Sequence, residues 1–472
     1  MSRLAALALT VAALTAAPAL APAAANAHGL VGRADLPIPV WLFGWAAAVV
    51  LVVSFVALAS LWPRPRLQTP RLRPLVGIPS GLDVLAGAVG VALFALVVYS
   101  GYEGTKIPTA NLAPTFIYVY FWVGLVVLSV LLGDVFRALN PWLALGRTAR
   151  WLIAHRRDAP PPPLLSYPSW LGRWPAVISI TAFAWLELAY PNKDDPATLA
   201  TLSLAYAIFQ VAGMVLFGVE RWSERGDGFG VYFNLYSRLS PLQRNDGRLC
   251  LRAPLSGAPP LPVMAGTVAL MAVAIGSTSF DGFSNGPMWA LIAPDLKRLF
   301  MGLGASDVQG QQWAATLGLV GFILLIGAIF RLGVRGMQTV GEGHSADELA
   351  GRFAHTLIPI AFAYVLAHYF SLLVFQGQAA GYLIYDPLGG GSGLFARPDF
   401  RIDFNLISAT AIWYVQVGAL LTGHVAGLTL AHDRAVALYH NVRAATRSQY
   451  WMLVVMVGFT SLGLWLLSAV QG

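Results

Sequence analysis

The amino-acid sequence predicts an all-α, polytopic integral membrane protein, with about ten transmembrane helices behind a cleaved signal peptide. Composition supports this fold class, because 57% of the 472 residues are apolar and only 11% are charged, against about 25% charged residues in soluble domains. Long apolar runs recur along the whole chain, and arginine is concentrated in alternate connections between them. Water is therefore not the main solvent of this chain.

The first 27 residues have the pattern of an export signal. Arg3 supplies a positive start, residues 4–17 form an apolar centre too short to span a bilayer, and Ala25-Asn26-Ala27 is a small-residue cleavage pattern. Cleavage after Ala27 leaves His28 as the first mature residue, and residues 28–472 as a single transmembrane domain.

Ten apolar segments follow, each near the length of about 20 residues that crosses a bilayer. The predicted spans are 40–61, 82–101, 114–132, 175–190, 199–218, 262–281, 313–334, 355–375, 409–431 and 450–469. With the mature N-terminus outside, the odd-numbered connections carry 22 arginines, counting Arg331 at the end of the seventh span, and the opposite side only 7 lysines and arginines. Cations stay on the cytoplasmic side, so both mature termini are expected outside, and the net charge of +8 indicates orientation rather than nucleic-acid binding.

Three connections are longer than simple turns. The connection 133–174 contains four consecutive prolines, 160–163, which predict a stiff basic linker. In 219–261, the sequence predicts an interfacial helix at 229–239, followed by a small hairpin around Asp246-Gly247. The glycine-rich segment 389–393 lacks the Lys-Ser/Thr pair of a phosphate loop, so no nucleotide is predicted. The single cysteine, Cys250, provides neither an internal disulfide nor a thiolate metal site.

Polar side chains inside apolar spans are costly, and they mark the candidate site. His368 lies about 10 Å deep in the eighth span, with Tyr364 and Ser371 on the same helix face. Gln416 lies at a similar depth in the ninth span, the neighbouring antiparallel helix. These residues predict a substrate or ion pocket in the outer leaflet. The alternative for His368 is a neutral imidazole hydrogen-bonded within the helix core.

Two carboxylates complete this predicted outer layer. Asp281 and Glu187 lie near the outer ends of the sixth and fourth spans, and they reach the depth of His368 if those helices are neighbours. The alternatives are that Asp281 caps a loop and that Glu187 is an interfacial carboxylate in contact with water.

A second, inner group of polar residues is the weaker candidate. His424 lies beside Gly423 and Gly427, whose spacing allows another helix to approach closely, so a packing histidine that is hydrogen-bonded across this contact is expected. His424 and His368 differ in depth by about 12 Å, so the pair cannot ligate one haem, and no haem is predicted. The remaining inner candidates, which form either a polar cluster or a solvated rim, are His355, His432 and Asp433.

The predicted mature N-terminus suggests a metal ligand. An α-amine next to the imidazole of His28 forms a chelate that resembles the amino-terminal copper sites of exported proteins maturing to His-Gly or His-Ala, and nitrogen ligands suit Cu(II). A second nitrogen ligand would come from His368, if the N-terminal segment folds into the outer pocket. The expected cofactor is a divalent ion, Cu or Zn.

Several segments together resemble bacterial multispanning membrane proteins commonly labelled fenitrothion hydrolase. They are His28-Gly-Leu-Val-Gly-Arg, Ser277-Thr-Ser-Phe-Asp-Gly, His368-Tyr-Phe-Ser-Leu-Leu-Val-Phe-Gln-Gly-Gln, Ile412-Trp-Tyr-Val-Gln-Val-Gly, Gly423-His-Val-Ala-Gly and His432-Asp-Arg. The resemblance runs over most of the mature chain. It implies a metal-dependent phosphotriester hydrolase in the bacterial cytoplasmic membrane, with a metal-bound hydroxide generated in the outer layer.

Three functional classes therefore remain open. The protein binds or moves a metal ion such as copper or a small solute, hydrolyses neutral phosphotriesters, or has a structural or assembly role in the membrane. Its expected partners are the lipid bilayer and a small molecule or metal ion. No nucleic-acid partner is expected, and the sequence does not identify a protein partner.

Overall fold

The computed structural model describes residues 40–157, 162–391 and 400–470, and within them the chain is mostly helical. Seven helices in these ranges are long and apolar enough to cross a membrane. The protein is therefore an α-helical membrane protein, as predicted. The signal sequence and His28 lie outside the described residues, and the count of ten spans stays a prediction.

The first half of the described chain contains ten α-helices and three short strands. In chain order the elements are α1 (Val40–Leu61), β1 (Arg73–Gly77), α2 (Ser80–Glu103), α3 (Leu112–Thr115), a π-helix (Phe116–Gly124), α4 (Leu125–Leu132), α5 (Val135–Leu139), α6 (Pro141–Arg157), α7 (Trp174–Ala189), α8 (Pro196–Phe217), α9 (Val219–Arg225), α10 (Gly228–Ser237), β2 (Leu242–Asn245) and β3 (Arg248–Leu251).

The second half of the described chain is helical. Its α-helices are α11 (Thr267–Ser284), α12 (Pro287–Gly302), α13 (Asp307–Met337), α14 (Ala346–Phe353), α15 (Ile358–Gln376), α16 (Ala380–Leu383), α17 (Ala409–Leu438), α18 (Val442–Ser448) and α19 (Tyr450–Val470). Short 3-10 turns lie in both halves, at Ser169–Leu171 in the first and at Gln338–Val340, Ala354–Leu357 and Gly377–Ala379 in the second.

Helix α11 is the centre of the packing, since it contacts α7, α13, α15 and α19. Its residues 270–280 are buried, including the hydroxyl residues Ser277, Thr278 and Ser279. Each of these hydroxyls donates a hydrogen bond to a carbonyl one turn earlier in the helix. A helix enclosed by other helices can carry such residues because it does not face lipid.

Helix α10 is buried, whereas the sequence predicts an interfacial helix in this region. It packs between α4 and α7, and Tyr232, Phe233 and Tyr236 are fully buried. The side chain of Asp227 caps its N-terminus by accepting from the Gly230 amide, and it also accepts from the side chains of Asn140, Trp142 and Tyr206. Burial raises the pKa of Asp227, and these hydrogen bonds oppose that rise. A continuous aromatic run does not reveal from sequence whether it faces lipid or protein.

The predicted hairpin is confirmed. Strands β2 and β3 pair antiparallel around Asp246 and Gly247, which both have positive φ, 48° and 70°. The sequence analysis did not predict β1, which pairs with β3 to give a three-stranded sheet in the order β1-β3-β2.

Helices α15 and α17 cross closely, as the spacing of Gly423 and Gly427 predicts. A Cβ atom added to Gly423 would lie 2.3 Å from the Cβ of Ala363 and 2.7 Å from the carbonyl oxygen of Pro359. A Cβ added to Gly427 would lie 3.0 Å from the carbonyl oxygen of Thr356. The crossing therefore requires glycine at position 423 and sets the position of α15.

Candidate functional site

Four side chains from three helices form an acid-histidine cluster: Glu187 on α7, Asp281 on α11, and His368 and Tyr369 on α15. The imidazole Nε2 of His368 donates to Oδ2 of Asp281 at 2.8 Å. The hydroxyl of Tyr369 also lies 2.8 Å from Oδ2 of Asp281, and 3.5 Å from Oε1 of Glu187. The sequence predicts that Asp281, Glu187 and His368 share one layer if their helices are neighbours, and the structure brings these three together.

The packing of α11 explains this meeting. Helix α11 contacts α7 on one side and α15 on another, so a carboxylate near its end can reach both helices. The Asp281 side chain is 16% exposed and the His368 side chain 24% exposed. The cluster is therefore largely enclosed but still in contact with its surroundings.

The number of protons in the cluster decides its charge. One tyrosine hydroxyl carries one hydrogen, so Tyr369 can donate to Asp281 or to Glu187 but not to both. The ammonium group of Lys193, in the connection between α7 and α8, is near both carboxylates. Two carboxylates close together need a compensating proton or cation; the ammonium group of Lys193 acts on both of them, and the imidazole of His368 hydrogen-bonds Asp281.

A nine-residue π-helix, Phe116–Gly124, forms one wall of the site. Its Trp122 lies beside Glu187 and stacks on Tyr232, with ring centroids 4.8 Å apart and an interplanar angle of 12°. Its Tyr120 hydroxyl donates to the carbonyl oxygen of Gly377, just after α15, at 3.0 Å. Segments of π-helix occur frequently at functional sites. The sequence analysis missed this wall, and the aromatic run Phe116-Ile-Tyr-Val-Tyr-Phe-Trp was the only signal for it.

Buried hydroxyl groups continue from the cluster into the interior. Tyr232 interacts electrostatically with both Glu187 and Tyr369. The hydroxyl of Tyr236 donates to that of Tyr232 at 3.3 Å. The ring of Tyr236 packs against Phe362, which precedes Tyr369 by seven positions, or about 10 Å along the helix. The polar groups thus extend toward the arginine-rich end of the bundle, and the sequence analysis did not identify either tyrosine.

The other predicted outer residues are placed differently. Tyr364 lies on α15, but its hydroxyl donates to the carbonyl oxygen of Phe459 at 2.7 Å, so it joins α15 to α19. Ser371 is half-buried, and Gln416 is buried on α17. The contact between His368 and Gln416 stays a prediction.

His424 has a packing position, as expected, but its hydrogen bond is not the expected one. The sequence predicts a bond across the helix crossing, whereas Nδ1 donates to the carbonyl oxygen of Leu420 in the same helix at 2.7 Å. The Nε2 atom is buried and has no hydrogen-bond partner among the residues that the structure describes.

His432 and Asp433 hold the segment that follows α1. Asp433 accepts from the indole of Trp62, from Gln68 Nε2 and from the backbone amides of Arg66 and Leu67. His432 Nε2 donates to the carbonyl oxygen of Trp62 at 3.1 Å. Four donors occupy the carboxylate and both residues serve the fold, so they are poor ligands for a substrate. His355 is buried on the 3-10 turn before α15.

The described ranges contain no group of three or more His, Cys, Asp and Glu side chains arranged to hold a metal ion. The predicted metal site that joins His28 to His368 includes a residue outside these ranges, so it stays a prediction.

Comparison with known proteins identifies no relative. No family model, no curated protein and no solved structure matches this chain.

Proposed function

We propose that the protein carries a small cation across the membrane in exchange for protons, and that the acid-histidine cluster is its coupling site. The observation that supports this proposal is the hydrogen-bonded series His368–Asp281–Tyr369–Glu187 between three helices of a membrane protein. Buried ionisable groups in membrane proteins are rare, and they commonly lie on ion pathways and proton relays.

The chemistry of exchange follows from charge balance. A cation that binds between Glu187 and Asp281 replaces the proton that the two carboxylates would otherwise share. The imidazole of His368 hydrogen-bonds Asp281, so a cation that binds to this carboxylate competes with that contact. Carboxylate, imidazole and phenol groups offer oxygen and nitrogen ligands, so a divalent ion such as Zn²⁺ or Cu²⁺ is the simplest cargo to test.

Proteoliposomes that contain the full chain and a pH-sensitive dye test the proposal. External Zn²⁺ or Cu²⁺ is expected to drive proton movement with the wild type, and Asp281→Asn is expected to reduce the rate at least about tenfold, because a hydrogen-bonded charge is lost. Asp295→Asn is the matched control, since Asp295 lies on the neighbouring helix α12 and its side chain is 70% exposed. Equal rates for wild type and Asp281→Asn with every cation would refute the proposal.

Phosphotriester hydrolysis is the second candidate, and the pairing of Asp281 with His368 favours it. A carboxylate that orients an imidazole at 2.8 Å is a common arrangement for a general base that activates water. Purified protein would be incubated with fenitrothion, with and without a chelator. Hydrolysis is expected to be lost in His368→Gln and kept in His440→Gln, because the latter side chain is 85% exposed and remote in sequence. Turnover that survives both His368→Gln and chelation would exclude the cluster as its catalyst.

A further inference from the structure

We infer a second binding site, for a phosphoryl group, at the arginine-rich end of the bundle. A cavity of about 360 Å³ lies there between the connection that precedes α11, helix α14 and the later part of α17. Arg352, Arg434 and Glu348 provide its polar lining, and Pro260 and Val263 belong to its apolar wall. The cavity is distinct from the acid-histidine cluster, so this inference does not depend on the proposed transport.

Arg434 has unused hydrogen-bonding capacity at this cavity. Its Nη2 donates to the carbonyl oxygen of Pro259, while its buried Nε has no hydrogen-bond partner within residues 40–157, 162–391 and 400–470. Buried donors are normally paired, so an unpaired guanidinium N–H at this cavity indicates an acceptor that the described residues do not supply.

The charge balance of the cavity favours an anion. Glu348 is already engaged by Arg352, with Nε 2.9 Å from its Oε1, and by His344 at 3.3 Å. The acid next to Arg434 in sequence, Asp433, accepts its hydrogen bonds from the segment after α1. Among the described residues no carboxylate hydrogen-bonds Arg434, so its positive charge is not neutralised in this way, and it lies beside the Glu348–Arg352 ion pair, whose own charges cancel.

The groups that line the cavity indicate the chemical class of the anion. The planar guanidinium group matches the geometry of phosphate oxygens. The lining residues precede α11, belong to α14 and lie near the end of α17, so the cavity is at the ends of helices rather than at their middle. Basic pockets between membrane helices are known to hold phospholipid headgroups. The shared ligand is a phosphoryl group, carried either by a phospholipid or by a soluble phosphate.

Two binding measurements on the full chain in detergent distinguish these sources. Equilibrium dialysis with radiolabelled inorganic phosphate measures the soluble ligand, and native mass spectrometry with added phosphatidylglycerol measures the lipid. Arg434→Gln is expected to weaken binding about tenfold or more through a lost charged hydrogen bond. Glu348→Gln is expected to tighten binding, because it removes the only carboxylate in the lining while keeping the shape of the side chain. Arg443→Gln is the control, since this exposed arginine lies on α18, outside the cavity lining.

The opposite effects of the two variants keep the test independent of folding. A misfolded protein can lose affinity, but it cannot gain affinity when Glu348 is neutralised. Phosphate binding with this pattern supports a soluble ligand, and lipid retention with this pattern supports a headgroup. Binding that is absent from both measurements, or that is equal in Arg434→Gln, Glu348→Gln and wild type, would overturn the inference.

Discussion

Replacing Gly423 with alanine tests whether the helix crossing sets the geometry of the site. The added Cβ would lie 2.3 Å from the Cβ of Ala363. Because non-bonded carbon atoms pack at about 3.5–4.0 Å, the helices must separate locally by about 1.2–1.7 Å. Overpacking of this kind costs about 1–3 kcal/mol. Helix α15 also carries His368 and Tyr369, so such a shift would break their hydrogen bonds of 2.8 Å with Asp281.

The measurements are the thermal unfolding temperature of the purified protein in detergent and the proton movement in proteoliposomes. Gly418→Ala is the matched control, because it lies on the same helix and a Cβ there would meet nothing within 4 Å. Alanine is favoured over glycine in a helix by about 1 kcal/mol, so the control is expected to be neutral or stabilising. Unfolding temperatures that change equally in the two variants would refute the close crossing. A destabilised Gly423→Ala variant with full coupling would show that the crossing does not position the site.

Three further perturbations have defined outcomes. Tyr369→Phe removes the hydroxyl that contacts both carboxylates, so proton coupling is expected to fall about tenfold or more while the fold is kept. Asp433→Asn replaces an accepting carboxylate oxygen by an NH₂ group, which faces the N–H groups that Asp433 now accepts from. The free energy of unfolding is therefore expected to fall by about 2–4 kcal/mol, and the unfolding temperature with it. Burial acts to raise the pKa of Glu342, but hydrogen bonds from His440 outweigh it and hold that pKa below its usual value of 4.5. This pair therefore stabilises the protein above pH 4.5, and the contribution is lost as the pH falls through the lower, folded-state pKa. Glu342→Gln is expected to flatten the dependence of unfolding temperature on pH between about pH 5 and pH 3.

For each of these predictions, a specific result would contradict it. Tyr364→Phe is the control for Tyr369→Phe, because it breaks a bond to Phe459 outside the cluster. Equal coupling in these two tyrosine variants would show that the Tyr369 hydroxyl has no special role. An unchanged unfolding temperature in Asp433→Asn would mean that the segment after α1 is not held by this carboxylate. Parallel acid profiles for wild type and Glu342→Gln would remove the Glu342–His440 pair as a stabilising contact.

The fold class follows from the sequence because a bilayer imposes a simple constraint. Backbone groups in lipid must pair within each segment, so an apolar run of sufficient length becomes a helix whatever its neighbours are. For the same reason, helices lie at or close to all ten predicted ranges, although α7 has only 16 residues and α11 carries several polar side chains. The hairpin at Asp246-Gly247 was also predictable, since it depends on local turn chemistry.

Part of the candidate site was predictable for a related reason. The distance of Glu187, Asp281 and His368 from the ends of their spans determines their depth, and depth can be counted from the sequence at about 1.5 Å per residue. Which residues share a depth is therefore a property of the chain. Which of them touch is not, because the order of helices around α11 depends on packing among all of them.

The sequence by itself thus determined an α-helical membrane protein and the layer at which its polar residues lie, since hydrophobic length acts on each helix separately. Only the tertiary structure decided that Tyr369 joins two carboxylates, that Trp122 closes the site from a π-helix, and that Tyr364 and Asp433 serve the fold. These roles depend on the direction of a side chain around its helix and on the identity of the facing helix. Contacts of that kind join residues far apart in the chain, and no local pattern records them.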